Sequence, residues 1–291
     1  MESKKLKDGY KIYHDKNHCI TGLAKEIIKR IYQEQTAGSG FELIKSRPER
    51  GLTTYRLKYE GNGYFVKNFK YNGFWRRLDN LLRVPYGIRQ YRKAQQLKDF
   101  NIPAVEPVLA ISKKMSFCQI KSTFVSREIP ADNFKQLIAG GKLDLPEERL
   151  LIINKFGSIW ARLFNNNFIH LDPTPDNFLV KSMEKEVEIY LVDLVDIYSL
   201  PVVPGFIIIY NIAGFFRHLV SKLAKLNSAG LTAEEWGGFF DSFMGYYDRP
   251  LNKVDFRNKI EKLTFKKLLK KNKLQAIKQD EVLKRRFEKN M

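Results

Sequence analysis

The sequence predicts an α+β fold in two lobes, a strand-rich lobe over residues 1–128 and a helical lobe over 129–291. Three observations carry this. Period-two alternation of apolar and polar residues dominates the first part of the chain. Apolar residues at helical spacing take over from residue 147. Between the helical stretches, a polar loop at 169–177 precedes two short strand-like runs.

The elements follow in order. Residues 22–34 place Leu23, Ile27, Ile28 and Ile31 on one side of a short amphipathic helix. Residues 41–70 read as strands: Thr53–Tyr59 alternates, Gly61-Asn62-Gly63 signals a hairpin turn, and Tyr64–Phe69 follows. Residues 73–86 are aromatic and basic, 87–100 read as helix, Pro103–Ile111 begins an extended region, and Ser122–Ile129 is a strand ending in a connector. In the second lobe, Leu150, Ile153, Phe156, Ile159, Trp160 and Leu163 mark a core-facing helix over 147–166. Phe178–Lys181 and Glu188–Asp193 form a strand pair around a charged turn, and helices are expected from 205 onward. The stretch 252–291 reads as a basic C-terminal tail, dense in lysine with Phe256, Ile260, Leu263, Leu268 and Leu269 interspersed.

Composition narrows the function classes. Hydrophobic residues make up 44% of the 291 positions, enough to bury a core and to exclude wholesale disorder. The net charge of +19 draws the protein toward polyanions, namely nucleic acid, an anionic membrane face or a phosphorylated substrate. No nucleic-acid-binding motif is present, so nucleic acid is not the expected partner. Cys19 and Cys118 lack metal-ligand spacing and read as reduced thiols of a cytosolic protein. Residues 1–18 contain no apolar run of the secretory type. The most apolar stretch, 200–216, carries Pro201 and Pro204 and falls short of the ~20 residues that span a bilayer. It is expected to be buried or partly membrane-facing, in a protein kept in the cytoplasm.

One constellation carries chemistry. Phosphoryl transfer needs metal ions on the phosphates, a cation on the inner phosphates and a carboxylate to accept the hydroxyl proton. Asp172 lies two residues after His170 and five before Asn177, the H-x-D-x-x-x-x-N spacing of a kinase catalytic loop. The loop presents the Asp to an acceptor hydroxyl and returns the Asn to a metal site. His170 reads as a support for the loop rather than a base. Asp193 ends the run Ile189-Tyr190-Leu191-Val192 and suits a metal-binding carboxylate, with Leu194-Val195 where Phe-Gly is usual and Asp196 as a competitor. Lys67, within Tyr64-Phe65-Val66-Lys67, is the candidate for the inner phosphates, with Lys70 nearby. The phosphate-covering turn falls at Ser46–Leu52, which has one glycine and the cations Arg47 and Arg50. Glu128–Pro130 is the expected hinge whose backbone meets a nucleotide base. No glutamate lies between Glu60 and Glu106, so Gln90 is the polar stand-in for the partner a kinase lysine normally has.

The run His170-Leu171-Asp172-Pro173-Thr174-Pro175-Asp176-Asn177-Phe178-Leu179-Val180 resembles the loop of bacterial lipopolysaccharide core sugar kinases, the Kdo and heptose kinase group. Tyr64–Lys67, Asn101-Ile102-Pro103 with Pro107, and Leu191-Val192-Asp193 are similar to other segments of that group. The resemblance spans roughly 45–225. Thr174 stands where Ser/Thr protein kinases carry lysine, which points toward a sugar acceptor. The resemblance implies a protein-kinase-like fold with ATP and Mg²⁺ as co-substrates. It implies Asp172 at the acceptor, Asn177 and Asp193 at the metal, and Lys67 and Glu128 at the nucleotide. It also implies an anionic lipid-linked sugar acceptor, the lipid A–core precursor, at the cytoplasmic face of the inner membrane. Trp75-Arg76-Arg77, Arg83 and the lysines of 253–289 would dock the protein there. The competing expectations are a kinase with a protein or small-molecule acceptor, and a membrane-associated pseudokinase that binds without transferring.

Overall fold

The computed structural model describes residues 2–5, 9–15, 21–34, 40–70, 84–116, 119–183 and 186–289. Trp75, Arg76, Arg77, Arg83, Cys19 and Cys118 lie outside the described residues. The chain divides into two compact units, Met1–Asp99 with Val105–Ile129, and Phe100–Ala104 with Pro130–Met291.

The first unit is built on a seven-stranded antiparallel sheet in the order β1-β2-β6-β7-β5-β4-β3. The strands are β1 (Glu2–Lys5), β2 (Tyr10–His14), β3 (Phe41–Arg47), β4 (Leu52–Tyr59), β5 (Asn62–Lys70), β6 (Pro107–Ser116) and β7 (Gln119–Arg127). β1 and β2 go beyond the sequence reading, which assigned no strand before residue 41. Tyr10 and Ile12 are nonetheless buried at period two. The β4–β5 turn also differs from expectation. Tyr59 pairs with Asn62, so the two-residue loop is Glu60-Gly61, one step before the predicted Gly61-Asn62-Gly63. Both loop residues have positive φ, 49° and 75°, the geometry that matches strand twist in tight hairpins.

One face of this sheet buries Leu57, Tyr64, Val66, Leu109, Ile111 and Val125 against helix α1 (Thr21–Ile27) and the π-helical turn Ile28–Tyr32 that extends it. Lys121 donates to the Ile31 carbonyl at 2.6 Å, satisfying an acceptor at the end of that wide turn. Helix α2 (Tyr86–Asp99) rests on the sheet near β6, β7 and β5, burying Ile88, Tyr91, Ala94 and Leu97. Gly87 makes this approach possible, because a Cβ there would sit 2.8 Å from the Thr123 backbone.

The second unit is mainly helical. It contains the two-residue strand β8 (Asp132–Asn133) and the helices α3 (Phe134–Ala139), α4 (Pro146–Asn165), α5 (Gly205–Lys225), α6 (Ala233–Tyr246), α7 (Lys253–Lys270), α8 (Leu274–Gln279) and α9 (Glu281–Glu288). α4 buries Ile153, Phe156, Ile159, Trp160 and Leu163 as its spacing predicts, and packs along α6. Gly157 lets the two helices meet: a Cβ there would lie 2.3 Å from the Phe239 carbonyl oxygen. Arg149, in the first turn of α4, is buried and paired with Glu235 of α6 at 3.1 Å.

A first lobe running unbroken to residue 128 has an exception in Phe100–Ala104, which belongs to the second unit. Phe100 meets Phe168 edge-on at 5.7 Å, and the Pro103 carbonyl accepts from the Leu191 amide at 3.1 Å. The lysine-dense C-terminal stretch is helical, as expected of the chain from 205 onward. Residues 253–270 form α7, which buries Phe256, Ile260 and Leu268 and lies against α5. The lysines occupy its remaining face.

The apolar run at 200–216 contributes the first half of α5. At 21 residues this helix is long and apolar enough to cross a membrane, but 56% of its apolar window is buried inside the protein. That burial fits a core helix. Its N-terminal end differs, with Phe206 and Tyr210 exposed, as is Val202 just before it.

Candidate functional site

The loop 171–177 hangs between two pairs of short strands. β9 (Phe168–His170) is fully enclosed and pairs antiparallel with β12 (Ile197–Ser199), Ile197 opposite His170. β10 (Phe178–Met183) pairs antiparallel with β11 (Glu186–Leu191), Phe178 opposite Leu191. The loop leaves β9 and enters β10, and residues 192–196 leave β11 and enter β12. The two connections therefore run side by side. The Leu171 amide donates to the Asp196 carbonyl at 2.8 Å, and the Val192 amide to the Asn177 carbonyl at 3.0 Å. This double tie brings Asp172, Asn177 and Asp193 into one small region.

Local chemistry shapes the loop further. Pro175 opens a 3₁₀ turn, Pro175–Asn177, where its fixed φ and missing amide are tolerated. The Thr174 amide donates to the Asp172 carbonyl at 2.8 Å, and the Asn177 amide to the Thr174 carbonyl at 3.0 Å. The Asn177 side-chain Nδ2 also reaches the Asp172 carbonyl, at 2.8 Å. With Nδ2 committed there, Oδ1 accepts no hydrogen bond among the described residues. Asp176 takes Lys222 of α5 on both oxygens, at 2.8 and 2.7 Å.

Asp172 is exposed, and its carboxylate has no hydrogen-bonding or ionic partner among the described residues. Asp193 is half-buried with φ −111° and ψ 88°, at the break between β11 and the 3₁₀ turn Leu194–Asp196. His170 is fully buried between Trp160 and Phe178, with ring centroids 6.5 and 6.3 Å away. Burial pushes its pKa down to about 4, with Asp193 pulling weakly the other way, so the imidazole is neutral at pH 7. Its ring nitrogens find no hydrogen bond among the described residues, while its backbone amide donates to Asn211 Oδ1 at 3.0 Å.

The remaining expected residues lie in the first unit. Lys67 sits on the interior strand β5, opposite Thr54 and Phe124. It is half-buried and shares the face of Phe69, whose ring stacks on Tyr86 of α2. Gln90 is buried on α2, 1% exposed. Ser46–Leu52 is a tight β3–β4 connection, with a 3₁₀ turn at Pro48–Arg50 and Gly51 at φ 60°. Glu128 donates its amide to the Gly63 carbonyl at 2.9 Å, and its carboxylate holds Arg56 at 2.7 Å.

Sequence reasoning missed one feature of the second unit. A cavity of about 500 Å³ opens at the loop, lined by Asp172 together with Arg217 and His218 of α5 and Lys266, Lys267, Lys270 and Lys271 at the end of α7. The signal was present. Positions 266, 267, 270 and 271 fall on one helical face, as do 210, 214, 217 and 218. An apolar groove of about 550 Å³ shares Leu171, Tyr210, Asn211 and Leu263 with the cavity and adds Phe206 and Ile207. Among the described residues no three His, Cys, Asp or Glu side chains gather as a metal cage.

No family model matches the chain. No curated protein matches it. Solved structures do. One, described as WaaP in complex with acyl carrier protein, superposes with a TM-score of 0.57 at 15% identity, covering 87% of this chain and 98% of that one. The likeness shows the fold: this chain has the kinase-like architecture of WaaP, with a strand-rich sheet and a helical second part.

Proposed function

We propose that the protein is an ATP-dependent kinase that phosphorylates a sugar hydroxyl of the lipopolysaccharide core. The observation that carries this is the convergence of Asp172, Asn177 and Asp193 through the paired connections 171–177 and 192–196. The kinase-like fold supports it, and so does the resemblance of the loop to the Kdo and heptose kinases.

Each residue has a part in this reading. Asp172, exposed and unpartnered, orients the acceptor hydroxyl and takes its proton. Asn177 braces the loop through Nδ2 and offers Oδ1 to a metal. Asp193 supplies the carboxylate beside it. The donor set fits Mg²⁺, which is held by one or two protein oxygens together with substrate phosphates and water rather than by an all-protein cage. When bound, Mg²⁺ neutralises charge on the phosphates. Lys67 serves the inner phosphates of ATP, and the backbone of Glu128–Pro130 its adenine. His170, neutral and buried, holds the loop's shape and takes no proton.

The acceptor is read as lipid-linked and anionic, met at the cytoplasmic face of the inner membrane. Phe206, Tyr210 and Leu171 are exposed residues lining one apolar groove at the loop and the start of α5, and the α7 lysines stand beside them. Apolar side chains flanked by cations suit an anionic membrane surface, where each Lys or Arg contributes ~1 kcal/mol.

One observation favours a second reading. The helix after the Lys67 strand has no glutamate, and Gln90 stands buried in it. Glutamine does not neutralise a lysine, so a pseudokinase that binds nucleotide without transfer is the rival. Purified protein incubated with Mg²⁺-ATP and lipopolysaccharide core precursors separates the two. A kinase adds one phosphate to the core, visible by mass spectrometry, and a deletion strain loses that phosphate. Absence of transfer to every core precursor, with nucleotide binding intact, favours the pseudokinase.

A further inference from the structure

α5 carries an asparagine in its interior, and the fold uses only half of it. Asn211 is 5% exposed. Asparagine is a poor helix former, because its short amide competes with the backbone for hydrogen bonds. Its Oδ1 accepts from the His170 backbone amide at 3.0 Å. A backbone N–H can only donate, so this bond fixes which end of the side chain faces β9. Nδ2 is the other end, and it finds no partner among the described residues. A side chain that only accepts, such as a carboxylate, would serve the His170 amide equally. What asparagine adds is the donor end, and a donor left unpaired on a buried side chain weakens the fold.

The surroundings show where that donor leads. Asn211 lines the cavity of about 500 Å³ that opens at Asp172, and also the apolar groove of about 550 Å³ next to it. One face of α5 meets the chain on both sides of Asp172. Asn211 holds His170, two residues before it. Gly214, three positions along the same helical face, takes Pro173, the residue after it. A Cβ at 214 would stand 3.2 Å from Pro173 Cγ. The place of Asn211 relative to Asp172 is therefore set by a hydrogen bond on one side and by close packing on the other. Lys266, Lys270 and Lys271 line the same cavity on exposed side chains. Such flexible stems bring charge but fix no direction.

We propose that Asn211 is a positioning residue for the acceptor: its Nδ2 donates a hydrogen bond to an uncharged oxygen, the hydroxyl or ring oxygen next to the hydroxyl that Asp172 deprotonates. The inference rests on the reading of Asp172 as the acceptor-side carboxylate. It adds a second, neutral contact and divides the work between them. Asp172 accepts from the attacking hydroxyl and Asn211 donates to its neighbour, so the pair fixes the rotation of the sugar as one contact cannot. The bond to Asn211 is made in the ground state and the transition state alike. It therefore acts on acceptor binding rather than on the chemical step.

Two variants of the full chain separate this role from support of the loop. Asn211→Asp keeps an oxygen for the His170 amide and loses the donor, whereas Asn211→Ala loses both. The assay is transfer to the lipopolysaccharide core precursor that the parent phosphorylates. Asn211→Asp is expected to raise the acceptor KM roughly tenfold, the upper range for one hydrogen bond. Its kcat and its KM for ATP should stay within about twofold of the parent's, because uniform binding alone is lost. The rise should be equal at low and high salt, since a lost neutral hydrogen bond is not screened. Asn211→Ala should lower kcat and the denaturation midpoint as well. A parental acceptor KM in Asn211→Asp, a rise that salt removes, or a loss confined to kcat overturns the proposal and leaves Asn211 as a support of the loop. A second readout needs neither transfer nor a folded variant. In parent protein with nitrogen-labelled asparagine, the Asn211 side-chain amide is assigned by its proximity to the His170 amide. Its NMR signal should shift on addition of deacylated core oligosaccharide, and an unmoved signal overturns the proposal. A shift without transfer to any core precursor removes the kinase reading and leaves Asn211 as a sugar-binding residue. Transfer with an unmoved signal removes the role of Asn211 and leaves the kinase.

Discussion

The side-chain amide of Asn177 donates to the backbone carbonyl of Asp172 at 2.8 Å, closing the loop that carries both. The bond fixes which end of Asn177 faces outward. With Nδ2 turned inward, Oδ1 is the atom available to a cation, and the five-residue spacing of the pair acquires a reason. Asp172 presents its carboxylate from a backbone that Asn177 holds, so the two residues are one device rather than two independent ligands.

Asp172→Ala is therefore expected to remove activity without unfolding the protein. The carboxylate is exposed and makes no bond that the fold depends on. Loss of a general base costs ~10²–10⁴-fold in rate, and the thermal midpoint should stay near that of the parent. Transfer of labelled phosphate from ATP, measured beside thermal denaturation, checks both halves. A variant that keeps parental activity contradicts the assignment of Asp172.

Asn177 should behave differently. Asn177→Ala loses the brace and the outward oxygen together. Stability is expected to fall by about 1 kcal/mol, the usual worth of one hydrogen bond. The Mg²⁺ concentration for half-maximal activity should rise at least severalfold, and saturating Mg²⁺ should recover only part of the rate. Chelation of Mg²⁺ in the parent should abolish transfer and leave the denaturation midpoint of the nucleotide-free protein unchanged. A metal dependence identical to the parent's would place Asn177 in the loop's architecture alone.

The sequence was most informative where chemistry demands fixed spacing. The loop that carries Asp172 and Asn177, and the strand that ends before Asp193, could be placed because such a loop carries its residues at set intervals. The α4 stripe from Ile153 to Leu163 could be read because a helix buried on one side repeats. Other features depend on partners distant in sequence. β1, Glu-Ser-Lys-Lys, has no apolar alternation because it is an edge strand, where charge guards an open row of backbone groups. Arg149 looks like a surface residue of a first helical turn until Glu235 arrives from 86 positions away. Lys266 to Lys271 read only as part of a lysine-dense tail because what places them is Leu268, buried where α7 packs on α5, a pairing that composition does not announce. Asp176 reads as filler within the motif, yet it ties the loop to Lys222.

Gly157→Ala tests the packing beneath the site. The added methyl would be 2.3 Å from the Phe239 carbonyl oxygen and 3.0 Å from the Phe243 amide nitrogen. Backbone cannot swing aside as a side chain can, so α4 and α6 must separate. The gain in helix propensity, ~1 kcal/mol, is outweighed by overpacking of roughly 1–3 kcal/mol and by lost contacts around Phe156 and Phe239. The expected result is a lower denaturation midpoint, whereas Gly245→Ala, with open space around it, should leave stability equal or higher. An unchanged midpoint for Gly157→Ala would mean that α4 and α6 are farther apart in solution.

The two most buried titrating groups of the second unit should oppose each other in pH-dependent stability. Asp280 accepts from Trp236 Nε1 at 3.1 Å and from the Leu283 amide at 3.0 Å, and burial pushes its pKa up to about 7. Between roughly pH 4 and 7 the folded state therefore holds a proton that the unfolded state has lost, and stability from Asp280 declines as pH rises through that window. His170 does the reverse. With its pKa pushed down to about 4, the folded state refuses a proton that the unfolded state takes near pH 6.5, so its contribution is lost as pH falls from about 6.5 to 4. The parent's stability should accordingly show only the difference of the two slopes. Asp280→Asn removes the first, so its midpoint relative to the parent should be highest near pH 7.5 and drop steadily toward pH 5. His170→Gln removes the second, so its relative midpoint should climb as pH falls over the same range. Denaturation of the three proteins at matched ionic strength between pH 5 and 7.5 measures both trends, and parallel curves for parent and variants would show that neither group titrates in the folded protein as its burial requires.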